Sequence, residues 1–403
     1  MKETRFKQTE IGLIPEDWKI ISLEEIGEPK MCKRILKNQT FIKGDIPFYK
    51  IGTFGGKADA YISKSLYEYY KKKFSFPQKG NVLISAAGTI GRLVIYQGED
   101  AYYQDSNIVW IDNKEEKLLN QYLYYTLKNT SWDTSQGTIQ RLYNASLKAK
   151  QIIIPLSINE QKKIASALTS IDNLLLSLDK LIEKKRLIKQ GAMQELLTGK
   201  KRLLGFSGEW VERRLGEISE MNSGGTPSVN VKEYYGYGIP FLSISDMSWQ
   251  GKYLKQTEKS ITYLGLKNSS ARIVPSGTIL YAMYASIGKC SIANIELAIS
   301  QAILGIKVNK EVLNNIYLYY YLSFIENKAK EIGQQGTQSN LSKQIVEKFK
   351  LQLPTIKEQQ TIATVLSSID KEIESLEGKK AKYEQIKQGM MQQLLTGKIR
   401  LIS

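Results

Sequence analysis

The sequence predicts an α+β protein in which two α/β globular parts are joined by two long antiparallel helices that form a coiled coil. Three observations predict this class. The chain repeats itself at an offset of 198 residues, its best-matching segments have coiled-coil spacing, and the segments between them contain short β-rich runs. We therefore expect an internal pseudo-two-fold repeat with the order globular part (1–155), helix (156–200), globular part (201–354) and helix (355–403).

The globular parts contain short runs of β-branched and aromatic residues separated by Gly and Asn turns. Two segments in which apolar and Tyr residues recur every three or four positions predict short helices. Strands are expected at 81–85, 92–96, 108–111, 151–154, 278–282 and 304–308, and helices at 118–128 and 312–325.

The repeat is strongest in the two helical segments. Residues 158–203 align without gaps to residues 356–401, and 25 of the 46 pairs are identical. The shared motifs are Glu-Gln and Ser-Ile-Asp near the start, and Ile-Lys-Gln-Gly and Leu-Leu-Thr-Gly-Lys near the end. The globular parts match only weakly, so they have diverged while the helices have not.

Each helical segment predicts one long helix. The helices begin at the capping boxes Ser157–Glu160 and Thr355–Glu358, and they end before Gly199 and Gly397, where a left-handed cap favours glycine. Because a globular part lies between the two helices and returns the chain, we expect them to pair antiparallel. The alternative is that each helix packs only on its own globular part.

Apolar residues spaced alternately by four and three positions form the predicted seam of the helix pair. Lysines at positions 185, 189, 380 and 387 fall on seam positions and are expected to weaken it. The predicted pairing residues are Ile164, Leu168, Ile171, Leu175, Leu178, Ile182, Ile362, Leu366, Ile369, Ile373 and Leu376.

The composition excludes several classes of enzyme. The chain has no histidine and only two cysteines, which excludes Ser-His and Cys-His nucleophile pairs, His-ligated metals and Cys-rich zinc sites. Two thiols form no disulfide framework. Since we find neither a secretory signal nor a run of about 20 apolar residues, we expect a cytoplasmic protein with no membrane partner.

The charge points to a polyanionic partner. The chain has 57 Lys and Arg against 40 Asp and Glu, a net charge of +17, and each globular part carries +6. Two basic globular parts of equal charge suggest two contacts with one nucleic acid. The alternative is that the charge serves only solubility.

Together these features resemble the specificity subunit of a type I restriction-modification system. The resemblance covers essentially the whole chain. It rests on the Glu-Gln…Leu-Leu-Thr-Gly-Lys helices and on the segments 223–228 (Ser-Gly-Gly-Thr-Pro-Ser), 238–242, 137–142 and 336–341. The first half departs from the pattern, because it lacks the Gly-Thr-Pro motif. Its counterpart is Pro29–Arg34, so we expect a loop of different shape there.

The resemblance implies that the globular parts are target recognition domains, each reading half of a bipartite site in double-stranded DNA. It implies that the helices act as a spacer and dock two DNA methyltransferase (modification) subunits. Motor-nuclease (restriction) subunits would complete the assembly. The chain itself would be non-catalytic and bind no cofactor, while the other subunits would use S-adenosylmethionine, ATP and Mg²⁺.

The DNA-reading residues are predicted from side-chain chemistry, because Arg and Lys pair with guanine and Asn and Gln with adenine. The alternative for each is a solvated loop residue. The candidates in the first half are Lys50, Arg92, Gln140, Arg141 and Lys148. Those in the second half are Ser245, Asp246, Lys289, Gln338, Asn340 and Lys343.

Two other functions remain open from sequence. A stand-alone DNA-binding or architectural protein would keep the basic repeat but would need no helices that dock partners. A coiled-coil scaffold that binds only proteins would explain the helices but not the charge of the globular parts. Copurification with a methyltransferase subunit would separate both from the first interpretation.

Overall fold

The computed structural model describes residues 5–132, 142, 144–334 and 340–402. The chain divides into two compact units. The first unit is Met1–Asp179 with Gly378–Ser403, and the second unit is Lys180–Glu377. Each unit therefore contains one globular part and a segment of both long helices.

The first unit is built on two small sheets and two ladders. A four-stranded antiparallel sheet has the order β4-β10-β7-β8, and a three-stranded sheet has the order β6-β5-β9. β1 pairs with β2, and β3 pairs with β11. The strands are β1 Phe6–Thr9, β2 Gly12–Pro15, β3 Trp18–Ser22, β4 Pro29–Lys30, β5 Ile46–Tyr49, β6 Ala60–Ile62, β7 Val82–Ser85, β8 Leu93–Ile95, β9 Tyr102–Tyr103, β10 Ile108–Ile111 and β11 Gln151–Pro155. The helices are α1 Lys64–Lys73, α2 Asn120–Lys128, α3 Asn144–Lys148 and the first long helix, α4 Ile158–Leu196.

The second unit repeats this plan with larger sheets. Its five-stranded sheet has the order β13-β21-β18-β19-β15, its four-stranded sheet has the order β16-β14-β20-β17, and β12 pairs with β22. The strands are β12 Val211–Arg214, β13 Ser219–Ser223, β14 Tyr235–Leu242, β15 Tyr253–Leu254, β16 Lys259–Ile261, β17 Arg272–Val274, β18 Ile279–Ala282, β19 Cys290–Ala293, β20 Leu297–Ile299, β21 Ile303–Val308 and β22 Lys350–Leu353. The helices are α5 Ile244–Gln250, α6 Tyr263–Lys267, α7 Asn315–Phe324, α8 Glu326–Gln334, α9 Lys343–Glu347 and the second long helix, α10 Ile356–Leu394.

The predicted α+β class is confirmed, and the predicted strands and short helices lie within a few residues of β7, β8, β10, β11, β18, β21, α2 and α7. The short helices α1, α3, α5, α6, α8 and α9 were not predicted. α1 is rich in Tyr and Lys, and only Tyr67 of its ten residues is fully buried, so it has little apolar periodicity to detect.

Each unit has a hydrophobic core that both long helices enter. In the first unit, Ile164 and Leu168 from the start of α4 belong to the same buried cluster as Leu394 and Leu395 from the end of α10. The second unit mirrors this arrangement with Ile362 and Leu366 from α10 and Leu196 and Leu197 from α4. The start of one helix and the end of the other therefore complete each core.

The long helices pair antiparallel within each unit, as the ion pairs between them show. In the first unit Asp172 pairs with Lys387, and Asp179 pairs with Lys380 at 2.6 Å. The residue numbers rise along α4 while those of the partners fall along α10, so the helices run in opposite directions. In the second unit Lys189 pairs with Asp370 at 2.6 Å and Lys185 with Glu372 at 2.5 Å. The expectation that these four lysines weaken the seam is wrong, because each one meets a carboxylate of the opposite helix.

The predicted pairing residues divide into three groups. Those nearest the start of each helix, Ile164, Leu168, Ile362 and Leu366, lie in the globular cores. Ile171, Leu178, Ile182 and Ile373 are buried elsewhere along the helices. Leu175, Ile369 and Leu376 are half-buried.

The shared cores generate a prediction with a matched control. Leu395→Ala in the tail that follows α10 leaves a cavity in the first core and should lower its free energy of unfolding by about 2–5 kcal/mol. Leu197→Ala, at the equivalent position after α4, should affect the second unit instead. Hydrogen exchange read by mass spectrometry on peptides from 5–132 and 211–334 separates the two effects. Equal loss of protection in both units from either variant would contradict the separate cores.

Candidate nucleic-acid interface and helix pair

The predicted DNA-reading residues of the first unit lie on loops and at one helix end. The ammonium of Lys50 pairs with Asp59 at 2.9 Å, and Arg92 donates to the carbonyl of Phe54 at 2.8 Å. Lys148 ends α3 and pairs with Glu28 at 2.5 Å. The predictions for Gln140 and Arg141 lie outside the described residues.

The second-unit candidates are scattered along the fold. Ser245 is exposed on α5, and Lys289 is half-buried just before β19. Asn340 is half-buried, and Lys343 begins α9 and lies 3.6 Å from Glu347. The prediction for Gln338 lies outside the described residues.

The prediction that Asp246 contacts DNA is wrong, because this carboxylate is fully buried. It accepts hydrogen bonds from the backbone and hydroxyl of Ser243, at 2.9 and 2.6 Å, and from the backbone of Glu258 at 2.9 Å. Ser243-x-x-Asp246 has the spacing of a capping box, so the sequence contained the signal that this residue caps α5.

A polar cleft of about 630 Å³ lies at one edge of the first unit. Of the predicted residues, it contains Lys50. Sequence reasoning missed its other charged and amide side chains, although the segment at Pro29–Arg34 had been singled out as different from the second half. The cleft is lined by Arg34, Lys37, Lys50, Gln104, Asp105 and Asn107, among others.

The corresponding loop of the second unit contains the Ser-Gly-Gly-Thr-Pro-Ser motif. A Cβ atom on Gly224 would lie 1.7 Å from the carbonyl oxygen of Ile299, so this position requires glycine. The close approach brings Thr226 to Gln301, and the threonine hydroxyl donates to the amide oxygen at 2.5 Å. The motif therefore places two neutral polar side chains at this edge.

The Glu-Gln motif of the long helices holds each unit together. In the first unit the buried carboxylate of Glu160 accepts two hydrogen bonds from Arg400, at 2.7 and 2.9 Å, and one from the indole of Trp18 at 3.3 Å. Arg400 also donates twice to Asp17, at 2.8 and 2.6 Å, which lowers the pKa of that carboxyl. The hydrogen bonds to Glu160 and Asp17 raise the pKa of Arg400, so its guanidinium stays charged.

The second unit repeats this contact. Arg202 donates to both oxygens of the buried Glu358, at 2.7 Å each, and its guanidinium lies over the ring of Trp210. Arg202 and Arg400 stand 198 residues apart, the offset of the repeat. The repeat indicates that Arg202 and Arg400 are equivalent. The sequence alone did not connect each arginine with the glutamate of the other long helix.

The glutamine of the motif fixes the loop before each short helix. The amide nitrogen of Gln161 donates to the carbonyls of Lys117 and Pro155, and its oxygen accepts from the backbone of Leu119, all at 2.9 Å. Gln359 makes the equivalent bonds to Val312, Asn314 and Pro354. Both glutamines are fully buried, so each long helix is joined to its globular part by a satisfied amide.

The aspartate of the Ser-Ile-Asp motif links the helix pair to the same short helix. Asp172 accepts from the hydroxyl of Tyr125 at 2.9 Å while its other oxygen pairs with Lys387. The second unit repeats this with Asp370, Tyr320 and Lys189. The four helical motifs are therefore explained by contacts that hold the fold.

A further lysine joins the second globular part to α10. The ammonium of Lys252 donates to Tyr320 at 2.7 Å and to Ser367 at 3.0 Å, and it lies 3.8 Å from Asp370. Burial lowers its pKa to about 8, against the attraction of Asp370. Because its neighbours are aromatic and polar side chains of the same unit, we interpret Lys252 as a residue that stabilises the fold.

Neither cysteine of the chain is a reactive thiol. Cys32 and Cys290 are buried, and burial raises the pKa of each thiol to about 12. Within the described ranges, no group of three His, Cys, Asp or Glu side chains is placed to hold a metal ion. No helix in that part of the chain is long and apolar enough to cross a bilayer.

Comparison with known families decides the identity. The family model of the type I restriction modification DNA specificity domain matches residues 15–189 and again 207–385. The chain belongs to this family. It is a type I restriction-modification specificity subunit with two specificity domains, as the resemblance implied.

Relatives agree with this assignment. The MjaX specificity subunit assigned in Methanocaldococcus jannaschii is 30% identical, over 99% of this chain and 98% of that protein. The MjaVIII specificity subunit of the same organism is 27% identical, over 99% and 97%. A specificity subunit assigned in Haemophilus influenzae is 54% identical over 174 residues, which are 43% of this chain and 45% of that protein.

Solved structures support the fold. The S subunit of the type I restriction-modification system from M. genitalium aligns with a TM-score of 0.61 at 16% identity, over 94% of this chain and 96% of that chain. A chain from a structure of a type I R-M system aligns with a TM-score of 0.59 at 16% identity, over 96% and 99%. The two specificity domains and the two long helices are thus a recurrent architecture.

The buried ion pair of the first specificity domain generates a prediction. Glu160→Gln leaves the guanidinium of Arg400 without its buried counter-charge, and it should lower the free energy of unfolding by about 3 kcal/mol. Asp17→Asn removes an exposed partner of the same arginine and should cost no more than about 1 kcal/mol. Urea unfolding of both variants at neutral pH tests this order. A Glu160→Gln variant as stable as Asp17→Asn would show that the pair is not needed.

Proposed function

We propose that this chain selects the DNA target of a type I restriction-modification complex, with each specificity domain reading one half of a bipartite, asymmetric site. One observation carries the proposal. The contacts around Glu160 and Glu358 repeat in the two units, whereas the edges that could face DNA present different side chains: Arg34 and Lys50 in one, and Thr226 and Gln301 in the other. The same scaffold thus carries two recognition surfaces with different side chains.

The charge supports DNA as the ligand. Each globular part has a net charge of +6, so neither one alone accounts for the basic character of the chain. Lys and Arg neutralise phosphates in a sequence-independent way, and side chains at base edges add the specificity. Two basic domains with different polar edges fit an asymmetric site better than a palindromic one.

The long helices support a second role. Their paired faces are satisfied internally by leucine, isoleucine and four lysine–carboxylate pairs. Both helices also have exposed residues that could contact partners, and their starts and ends repeat more closely than their middles. We infer that they dock two DNA methyltransferase subunits and set the spacing between the half-sites.

The chemistry then belongs to other subunits. The chain has no histidine, and its buried thiols are poor nucleophiles at neutral pH. We infer that methyl transfer from S-adenosylmethionine occurs on the methyltransferase subunits. Motor-nuclease subunits would use ATP and Mg²⁺.

The first experiment tests the whole proposal. The chain is expressed with and without its genomic methyltransferase subunit, and methylation is mapped across the host genome. We expect a bipartite methylated motif only with both, and a purified complex whose mass by light scattering corresponds to one chain and two methyltransferases. A stable complex with one methyltransferase at saturation would contradict the stoichiometry, and DNA binding with no methylation would favour a stand-alone DNA-binding protein.

The second experiment tests whether the domains read independently. Residues 23–150 are replaced by the equivalent segment of another family member. This exchange keeps Asp17, Trp18 and β3 of the original chain, and so their contacts with α4, α10 and Arg400. The methylated motif should change in one half-site only. The matched exchange of residues 215–349 in the second domain should change the other half. A motif altered in both halves by either exchange would contradict independent reading.

A further inference from the structure

Arg34 has a distinctive position in the cleft of the first specificity domain. It follows β4, in the segment that replaces the Gly-Thr-Pro motif of the second half. Its Nε donates to Asp105 at 3.0 Å, and its side chain is 68% exposed while that of Asp105 is only 15% exposed. A largely buried carboxylate therefore holds an exposed guanidinium at one point.

That single contact leaves the outer edge of the guanidinium available. Within the described part of the chain, Nη1 and Nη2 of Arg34 have no hydrogen-bond acceptor. An arginine held through one nitrogen keeps two parallel donors that fit the O6 and N7 acceptors of guanine. The held geometry also reduces the side-chain entropy lost on binding.

The backbone on both sides of this contact is anchored. The hydroxyl of Tyr102 donates to the carbonyl of Lys33 at 3.0 Å, immediately before Arg34. On the other side, Ser106 has a φ of 61°, a conformation that non-glycine residues rarely adopt, directly after Asp105. Strained residues of this kind concentrate at functional sites.

The second domain arranges the corresponding edge differently, because its arginine there, Arg272, donates through Nη1 to the amide oxygen of Asn222 at 3.4 Å. There Thr226 donates to Gln301, and the pair presents a hydroxyl and an amide. Neither side chain provides the forked pair of donors that guanine accepts best. Among the described residues of these two edges, an arginine held through Nε by a carboxylate is therefore found in the first domain.

The geometry points to Arg34 as a specificity-determining residue that reads a guanine in the half-site of the first domain, with Asp105 as its positioning residue. This inference rests on the proposed function, because it assumes that the first domain reads DNA. Lys37 and Lys50 line the same cleft and supply positive charge toward the phosphates.

The test uses the full chain in complex with its methyltransferase. The methylated motif is mapped for the wild type, Arg34→Ala, Arg34→Lys and Asp105→Asn, with Lys37→Ala as the phosphate-contact control. Competition binding then uses duplexes in which each base pair of the motif is replaced in turn. The unaltered half-site serves as an internal control for folding.

Arg34→Ala should lose about tenfold to a hundredfold discrimination at one G·C pair and keep it elsewhere. Arg34→Lys should lose part of this discrimination because it lacks the fork, and Asp105→Asn should weaken it at the same pair. Lys37→Ala should weaken all duplexes by a similar factor and leave the motif unchanged.

Two results would overturn the inference. If Arg34→Ala weakens every duplex equally, the arginine contacts phosphate; if it changes nothing, the cleft does not face DNA. In both cases a bipartite wild-type motif would leave the proposed function standing. A wild-type complex that methylates no bipartite motif would instead overturn the proposed function, and this inference with it.

Discussion

A buried carboxylate in the first turn of each long helix is paired with an arginine that reaches it from beyond the end of the other long helix. Taking a carboxylate out of water costs several kcal/mol unless a counter-charge and hydrogen bonds replace the solvent. Glu160 and Glu358 each receive a guanidinium beside an indole ring. Each pair joins the start of one long helix to the segment that follows the other, beside the glutamine that bonds to the short-helix loop.

The same constraint explains why the helical segments are alike and the globular parts are not. Gln161, Asp172 and Lys387, and their counterparts in the second unit, bond to backbone carbonyls, tyrosine hydroxyls and each other. A change in any one leaves a buried partner unsatisfied. In the cleft, Arg34 and Asp105 bond to each other, so the two can be present in one domain where the other has a threonine and a glycine-rich turn.

Sequence reasoning predicted what short-range pattern determines. The long helices were placed within two residues of α4 and α10, since capping boxes and terminal glycines are local signals. It was wrong about the seam lysines because spacing shows which positions meet a partner but not that the partner carries a carboxylate. The cleft at Arg34 is formed by loops from 31–50 and 104–107. No local sequence pattern connects segments that far apart, so the cleft could not be predicted.

Asp246 illustrates a different limit. The acidic side chain of Asp246 predicted a DNA contact on chemistry alone, while the capping spacing to Ser243 favours a structural role. The full burial of Asp246 in the structure favours the structural role over the DNA contact.

The way the chain is divided between the units has a consequence for its synthesis. The second unit is one continuous stretch, Lys180–Glu377, so all of it is translated before the last helical turns of α10. The first unit is discontinuous, and its core lacks Leu394, Leu395 and the guanidinium of Arg400 until the final residues appear. The domain that is translated first therefore depends on residues that are translated after the whole second unit. Before they are made, the core around Ile14 and Trp18 lacks the apolar partners that α10 supplies.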